Sequence, residues 1–189
     1  MRRSWLLPAL FLAGCGIGPN LPPLAVAARQ GRADLIPSLV KQGANPNERS
    51  GVNGWTPLQH AIHKNQKGSV AALLDAGADA NARGDGGETP LMMAAGYGYT
   101  DIVSLLLDRG ADAHAQTGDG MNALTFAVLG ANDIDRFTVG DCQGDTIRAL
   151  ITKVPDLKVQ GSEKVMRVIA SSKLKGCAGF AQLLGARYP

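Results

Sequence analysis

The segment Gly54-Trp55-Thr56-Pro57-Leu58 returns thirty-three residues later as Gly87-Glu88-Thr89-Pro90-Leu91. The stretch following each copy recurs as well: Leu73-Leu74-Asp75-Ala76-Gly77-Ala78-Asp79 is matched by Leu106-Leu107-Asp108-Arg109-Gly110-Ala111-Asp112. A fixed period of this length belongs to a solenoid. Each unit is then one supersecondary element whose apolar face is buried only by the next unit. Such a chain builds an extended stack with a continuous surface.

Aligning on the leucine after the proline gives four registers, at Leu24, Leu58, Leu91 and Leu124. Nineteen residues beyond the first three stand Gly43, Gly77 and Gly110, which suit the left-handed position that ends a helix. Thr56 and Thr89 suit helix N-caps, with Pro57 and Pro90 at the first helical position, where a missing N–H costs nothing. Ala61, Ala94 and Ala95 are small enough to let neighbouring helices approach, and Leu73-Leu74 and Leu105-Leu106-Leu107 form the apolar stripe of a second helix. Hydrophobic residues make up 45% of the chain but aromatics only 5%, as close packing through alanine and leucine requires.

The pattern G-x-T-P-L-H-x-A-A, a second helix, then G-A-D-x-N-A resembles the ankyrin repeat. The resemblance implies an all-α solenoid of about four repeats at residues 22–53, 54–86, 87–119 and 120–160, with short β-hairpin turns between them and a helical cap at 161–189. Several positions depart from the pattern. Its histidine is replaced by Gln59, Met92 and Thr125, so the threonine–histidine bond that rigidifies the turn is expected to be missing and the array to be less stable than a consensus one. The first unit begins Pro22-Pro23-Leu24 without a threonine and carries Pro37 early in its second helix, as an N-terminal cap would; the fourth has Asn122-Ala123-Leu124.

Asp101 starts a second helix ten residues after Leu91, whereas the matching Asp145 comes twenty-one after Leu124. Eleven residues are therefore inserted within 130–144, among them Asn132, Asp133, Asp135, Phe137 and Asp141, whose spacing does not fit a calcium loop. The segment is expected to extend both flanking helices or to form an ordered loop. The cap reads as helices at 162–172 and 176–187.

Residues 1–14 read as a signal segment: Arg2 and Arg3 precede an apolar run, Trp5 to Ala13, too short to span a bilayer. The run ends in Leu12-Ala13-Gly14-Cys15, which resembles a bacterial lipobox. That resemblance implies cleavage before Cys15, a diacylglyceryl group on its thiol, an acylated amine, and a lipid-anchored linker at 15–21. Gly16 then points to the outer membrane, with the domain facing the periplasm; the alternative is an ordinary secretory signal in which Cys15 is incidental. Losing Arg2 and Arg3 lowers the net charge from +3 to +1, and no basic stripe with interleaved aromatics is present, so nucleic acid is not an expected partner. Lipidation leaves Cys142 and Cys177, an even pair that suggests a disulfide in an oxidising compartment. Register places both at similar heights in adjacent layers. Stacked helices lie about 8–10 Å apart, beyond the roughly 4.4–6.8 Å between bridged Cα atoms, so the insertion would supply the reach; two buried free thiols are the alternative.

No catalytic constellation stands out, and no enzyme, metal or cofactor is expected. His60 and His63 lie three apart on a first helix and read as solvated or inner-surface residues, and neither they nor His114 have zinc spacing to a cysteine. Gly84-Asp85-Gly86-Gly87 is a hairpin tip without the lysine of a phosphate loop. The resemblance instead implies binding of another protein by hairpin tips and the exposed side of the first helices. The positions that match are Arg49, Asn53, Trp55, His63 and Lys64, then Arg83, Asp85, Glu88 and Tyr97, then Gln116, Asp119 and Met121. The expectation is a monomeric, non-catalytic protein-interaction module at the bacterial envelope; the rivals are a periplasmic inhibitor or immunity protein and a structural envelope protein without a dedicated ligand.

Overall fold

The computed structural model describes residues 21–130, 132–133, 136–137 and 143–171. The signal segment, Cys15, Cys142, Cys177 and the second helix expected for the cap lie outside them. Helices come in pairs: α1 (Pro23–Arg29) with α2 (Ile36–Lys41), α3 (Pro57–His63) with α4 (Lys67–Asp75), α5 (Pro90–Gly96) with α6 (Thr100–Asp108), and α7 (Ala123–Leu129) with α8 (Gly144–Lys153). A further helix, α9 (Glu163–Ser171), follows. The first helices pack in one row, α1 on α3 on α5 on α7, and the second helices in a parallel row, α2 on α4 on α6 on α8. The four register leucines are each at most 1% exposed. Leu73, Leu106 and Leu150 are buried beside them, so the two stripes meet in one continuous core, which α9 closes with Val165, Met166 and Ile169.

Local chemistry sets the helix ends. The side chains of Thr56 and Thr89 accept the N–H of Gln59 and Met92 at 3.4 and 3.3 Å, and Asn122 accepts that of Thr125 at 3.0 Å. Helices α2, α4 and α6 end in left-handed glycines: at Gly77 (φ +88°) the Gly77 N–H donates to Leu74 and that of Ala78 to Leu73, a pattern Gly110 and Ala111 repeat. The matching turn after α1, α3 and α5 is also left-handed, and there Asn65 (φ +56°) stands where the other two have Gly31 and Gly98.

Two expectations are corrected. The turns do not lose their bracing with the missing histidine. Gln59 Oε1 accepts the Thr56 N–H at 3.0 Å, completing a capping box, while Gln59 Nε2 donates to the Glu88 carbonyl of the next unit at 3.1 Å. In the fourth unit Thr125 Oγ1 accepts the Gln160 N–H at 3.0 Å, and Asn122 Nδ2 donates to the Lys158 carbonyl at 2.7 Å. Buried amides and hydroxyls thus tie one unit to the next where the pattern uses histidine.

The insertion, in turn, lengthens neither helix at the junction. Helix α7 has seven residues like α3 and α5, and the N-cap of α8, Gln143, adopts φ −84° and ψ 73°, the values found at Tyr99 before α6. The extra chain carries two short antiparallel strands, β1 (Asn132–Asp133) and β2 (Arg136–Phe137), which pair Asn132 with Phe137 and Asp133 with Arg136. The described residues of the insertion thus form a strand pair and not an extension of either helix.

Candidate functional site

Between successive units the chain makes a short finger, closed at its base by backbone bonds. Ser50 and Trp55 exchange both of theirs at 2.9 and 3.0 Å, Gly84 donates to Glu88 at 3.1 Å, and Thr117 donates to Met121 at 2.9 Å. Gly54 turns the first finger at φ +56°, a left-handed backbone that favours glycine, and a Cβ there would displace the Asp85 carboxylate from its present place. Neighbouring fingers are bonded edge to edge. Asp85 N–H donates to the Asn53 carbonyl at 3.0 Å, Arg49 pairs with Asp85, and Arg83 donates to the carbonyls of Gly87 and Gln116 at 2.8 and 2.7 Å. The Ser162 N–H reaches the Asp119 carbonyl at 2.6 Å, and Gln116 donates to Gln160 at 2.7 Å, extending the row to the cap.

Behind the fingers runs a line of rings. Trp55 lies 5.6 Å from His60 and 5.1 Å from His63, His63 lies 6.0 Å from Tyr97, and Tyr97 lies 5.4 Å from Tyr99. The Trp55 indole N–H donates to Glu88 Oε1 at 2.9 Å, and His63 Nδ1 hydrogen-bonds the Tyr97 hydroxyl at 3.1 Å. His60 and His63 are only 5% and 6% exposed, which corrects their expected place on a solvated or inner surface: the adjacent finger and the next unit cover them. His60 Nε2 lies 3.4 Å from Ser50 Oγ, and its buried Nδ1 has no hydrogen-bond partner. Burial pushes its pKa from 6.5 down to about 4, with the charges of Arg29 and His63 acting the same way and a backbone bond at Ser50 opposing them. Among the described residues no group of histidines, cysteines and carboxylates is placed to hold a metal.

Fingers and first helices together enclose a groove of about 570 Å³. Seven of the twelve expected partner-binding residues line it: Asn53, Trp55, Asp85, Glu88, Tyr97, Asp119 and Met121. The other five are placed differently. Arg49 and Arg83 brace the fingers, Gln116 bonds the cap, His63 is buried behind Trp55, and Lys64 is half-buried at the end of α3. The groove also draws on Val52, Met93, Thr117, Gly118 and Phe126. Met93 and Phe126 occupy one register, two residues beyond the aligned leucine, where His60 stands in the second unit, so alignment alone was able to find them. The asparagines of the loop are a second omission. Asn47 accepts the Asp79 N–H at 2.7 Å and donates to the Gly77 carbonyl at 3.3 Å, and Asn81 makes the same clamp with Asp112 and Gly110 at 2.8 and 3.2 Å. In the third copy His114 faces Asp156 at 3.5 Å instead.

Two family models, both of ankyrin repeats, match the chain, one of three copies over residues 5–84 and one of many copies over residues 73–127. These are ankyrin repeats. The described helix pairs form an ankyrin solenoid. The ankyrin repeat and SAM domain-containing protein 6 of Rattus norvegicus is similar to it, 38% identical over 66 residues, which cover 35% of this chain and 8% of that protein. Alpha-latrocrustotoxin-Lt1a of Latrodectus tredecimguttatus is 35% identical over 80 residues, covering 40% of this chain and 6% of the toxin. Ankyrin repeat protein nuc-2 of Neurospora crassa is 40% identical over 63 residues, covering 33% of this chain and 6% of that protein. The chain spans less than a tenth of the length of these curated relatives, so the likeness concerns the repeats alone.

Proposed function

We propose that the chain is a non-catalytic binding module that grips another protein in its finger groove and is held at the bacterial cell envelope, facing the periplasm, by a lipid on Cys15. The groove carries the first half of this reading. It is concave, floored by large apolar side chains and edged by a few polar groups, as recognition sites are, and it presents tryptophan and tyrosine, the residue types that dominate binding energy at interfaces. The sequence supports the second half, through the basic start at Arg2-Arg3, the short apolar run and the Leu12-Ala13-Gly14-Cys15 match. A Cys142–Cys177 bond completes the proposal, pinning the insertion to the cap and contributing about 2–4 kcal/mol.

Trp55 and Tyr97 hold the fold as well as the groove, so blocking the groove is the cleaner test. Gly118 lines it, and a Cβ there meets nothing within 4 Å. Gly118→Trp should therefore abolish capture of the partner by crosslinking in intact envelopes while leaving the melting temperature unchanged; undiminished capture would refute the groove. Cys15→Ser should release the protein from membranes, and continued membrane association would refute the anchor. Mass spectrometry of non-reduced protein finding two free thiols at Cys142 and Cys177 would dispose of the disulfide.

A further inference from the structure

The groove's lining is unbalanced in charge. Asp85, Glu88 and Asp119 are among its residues, and no lysine or arginine is. Arg49 answers one of the three by pairing with Asp85. Glu88 gives one oxygen to the Trp55 indole, a neutral donor that leaves the negative charge in place. Arg83, the other cation of these fingers, is turned to the carbonyls of Gly87 and Gln116. Two carboxylates therefore face the groove without a basic partner among its lining residues. Beneath them lie the rings of Trp55 and Tyr97, whose faces attract cations, and the apolar flanks of Met93, Met121 and Phe126. Val52, 82% exposed at the tip of the first finger, adds an apolar lip.

We infer that this groove takes an arginine side chain carried on an extended or looped segment of the partner protein. The inference rests on the groove being the partner-binding surface proposed above. A guanidinium is planar, stacks on aromatic rings, is weakly hydrated and offers several N–H donors to carboxylates, so it meets the rings and the acids together; an ammonium group, compact and strongly hydrated, meets them less well. Its aliphatic stem covers the methionine and phenylalanine flanks. Glu88 and Asp119 face the charged end, and the volume of about 570 Å³ leaves room for the flanking backbone.

The test uses the full chain with Trp5→Phe, which leaves Trp55 as the remaining tryptophan. Capped pentapeptides, identical but for a central arginine, lysine, norleucine or glutamate, are titrated while Trp55 emission is read. The arginine peptide should give a saturable change, bind more tightly than the lysine peptide and weaken as salt shortens the screening length. The norleucine and glutamate peptides should give none. Glu88→Gln, which keeps an oxygen for the Trp55 N–H, combined with Asp119→Asn should weaken arginine-peptide binding by roughly three- to tenfold at an unchanged melting temperature. Equal binding of the norleucine peptide, preference for glutamate, silence from every peptide, or indifference to the double change would each overturn the inference. If Gly118→Trp abolishes partner capture yet the arginine peptide stays silent, the groove stands and its cation preference falls. If the arginine peptide binds and capture survives Gly118→Trp, the groove is not the partner surface and the inference falls with it.

Discussion

The backbone N–H of Gln143 donates to the carbonyl of Ala127 at 2.9 Å, the same closure that Gln66 makes with Ala61 and Tyr99 with Ala94. In those two units the bonded residues are five apart; here they are sixteen apart, and the difference is the eleven-residue insertion. The same hydrogen bond closes the turn despite the inserted residues, so Ile147 and Leu150 fill the places of Val103 and Leu106 in the core.

Removing the insertion should therefore preserve the fold. Replacing residues 130–142 with the Tyr97-Gly98 pair of the third unit restores the five-residue spacing. Under reducing conditions, stability should be unchanged or raised by up to about 1 kcal/mol through the shorter loop. Urea unfolding followed by circular dichroism measures this; loss of the cooperative transition would mean that the hairpin holds the fourth unit together.

Gln59 should be one of the costly positions to truncate. Gln59→Ala leaves the buried Thr56 N–H without its capping partner and takes one of two donors from the Glu88 carbonyl, which keeps the Gly84 N–H, a loss of about 1–3 kcal/mol. Gln59→His, the residue of the family pattern, should cost less than half as much. Chemical denaturation of the two variants compares them directly.

Asn65 carries a left-handed backbone at φ +56° where sibling units use glycine. Asn65→Ala should destabilise by about 1 kcal/mol, because a Cβ without a local polar group is disfavoured there. Asn65→Gly should be neutral within a few tenths of a kcal/mol. Equal losses for both would show that the asparagine side chain matters in its own right.

The buried His60 gives stability a defined pH dependence. Its folded pKa of about 4 lies below the unfolded value of 6.5, so the neutral ring is the form the fold accepts. Its contribution is complete above pH 6.5 and declines as pH falls towards 4, because across that window the unfolded chain binds a proton that the folded chain refuses. The decline amounts to about 2–3 kcal/mol. His60→Met, which installs the residue found at Met93, should remove this part of the profile. As pH falls between these limits, the unfolding free energy of the histidine protein should drop relative to that of His60→Met; parallel curves would dismiss the histidine as the cause.

The period, the helix pairs, the caps at Thr56 and Thr89 and the terminating glycines at Gly77 and Gly110 were all legible in the sequence. Each depends on chemistry within a few residues of itself: an N-cap oxygen reaches an N–H three residues on, and a left-handed turn needs glycine where it stands. The register also placed Trp55, Tyr97 and Met121 on one side, and the structure gathers them into the groove. Tertiary structure decided what depends on a neighbour one period away. Whether Gln59 weakens or braces its turn rests on the Glu88 carbonyl; whether His63 faces solvent rests on Trp55 and Tyr97; whether Arg49 is free for a partner rests on Asp85. In a solenoid these partners are set by stacking, which juxtaposes residues about thirty-three positions apart and determines which side chains hold the array and which face outward.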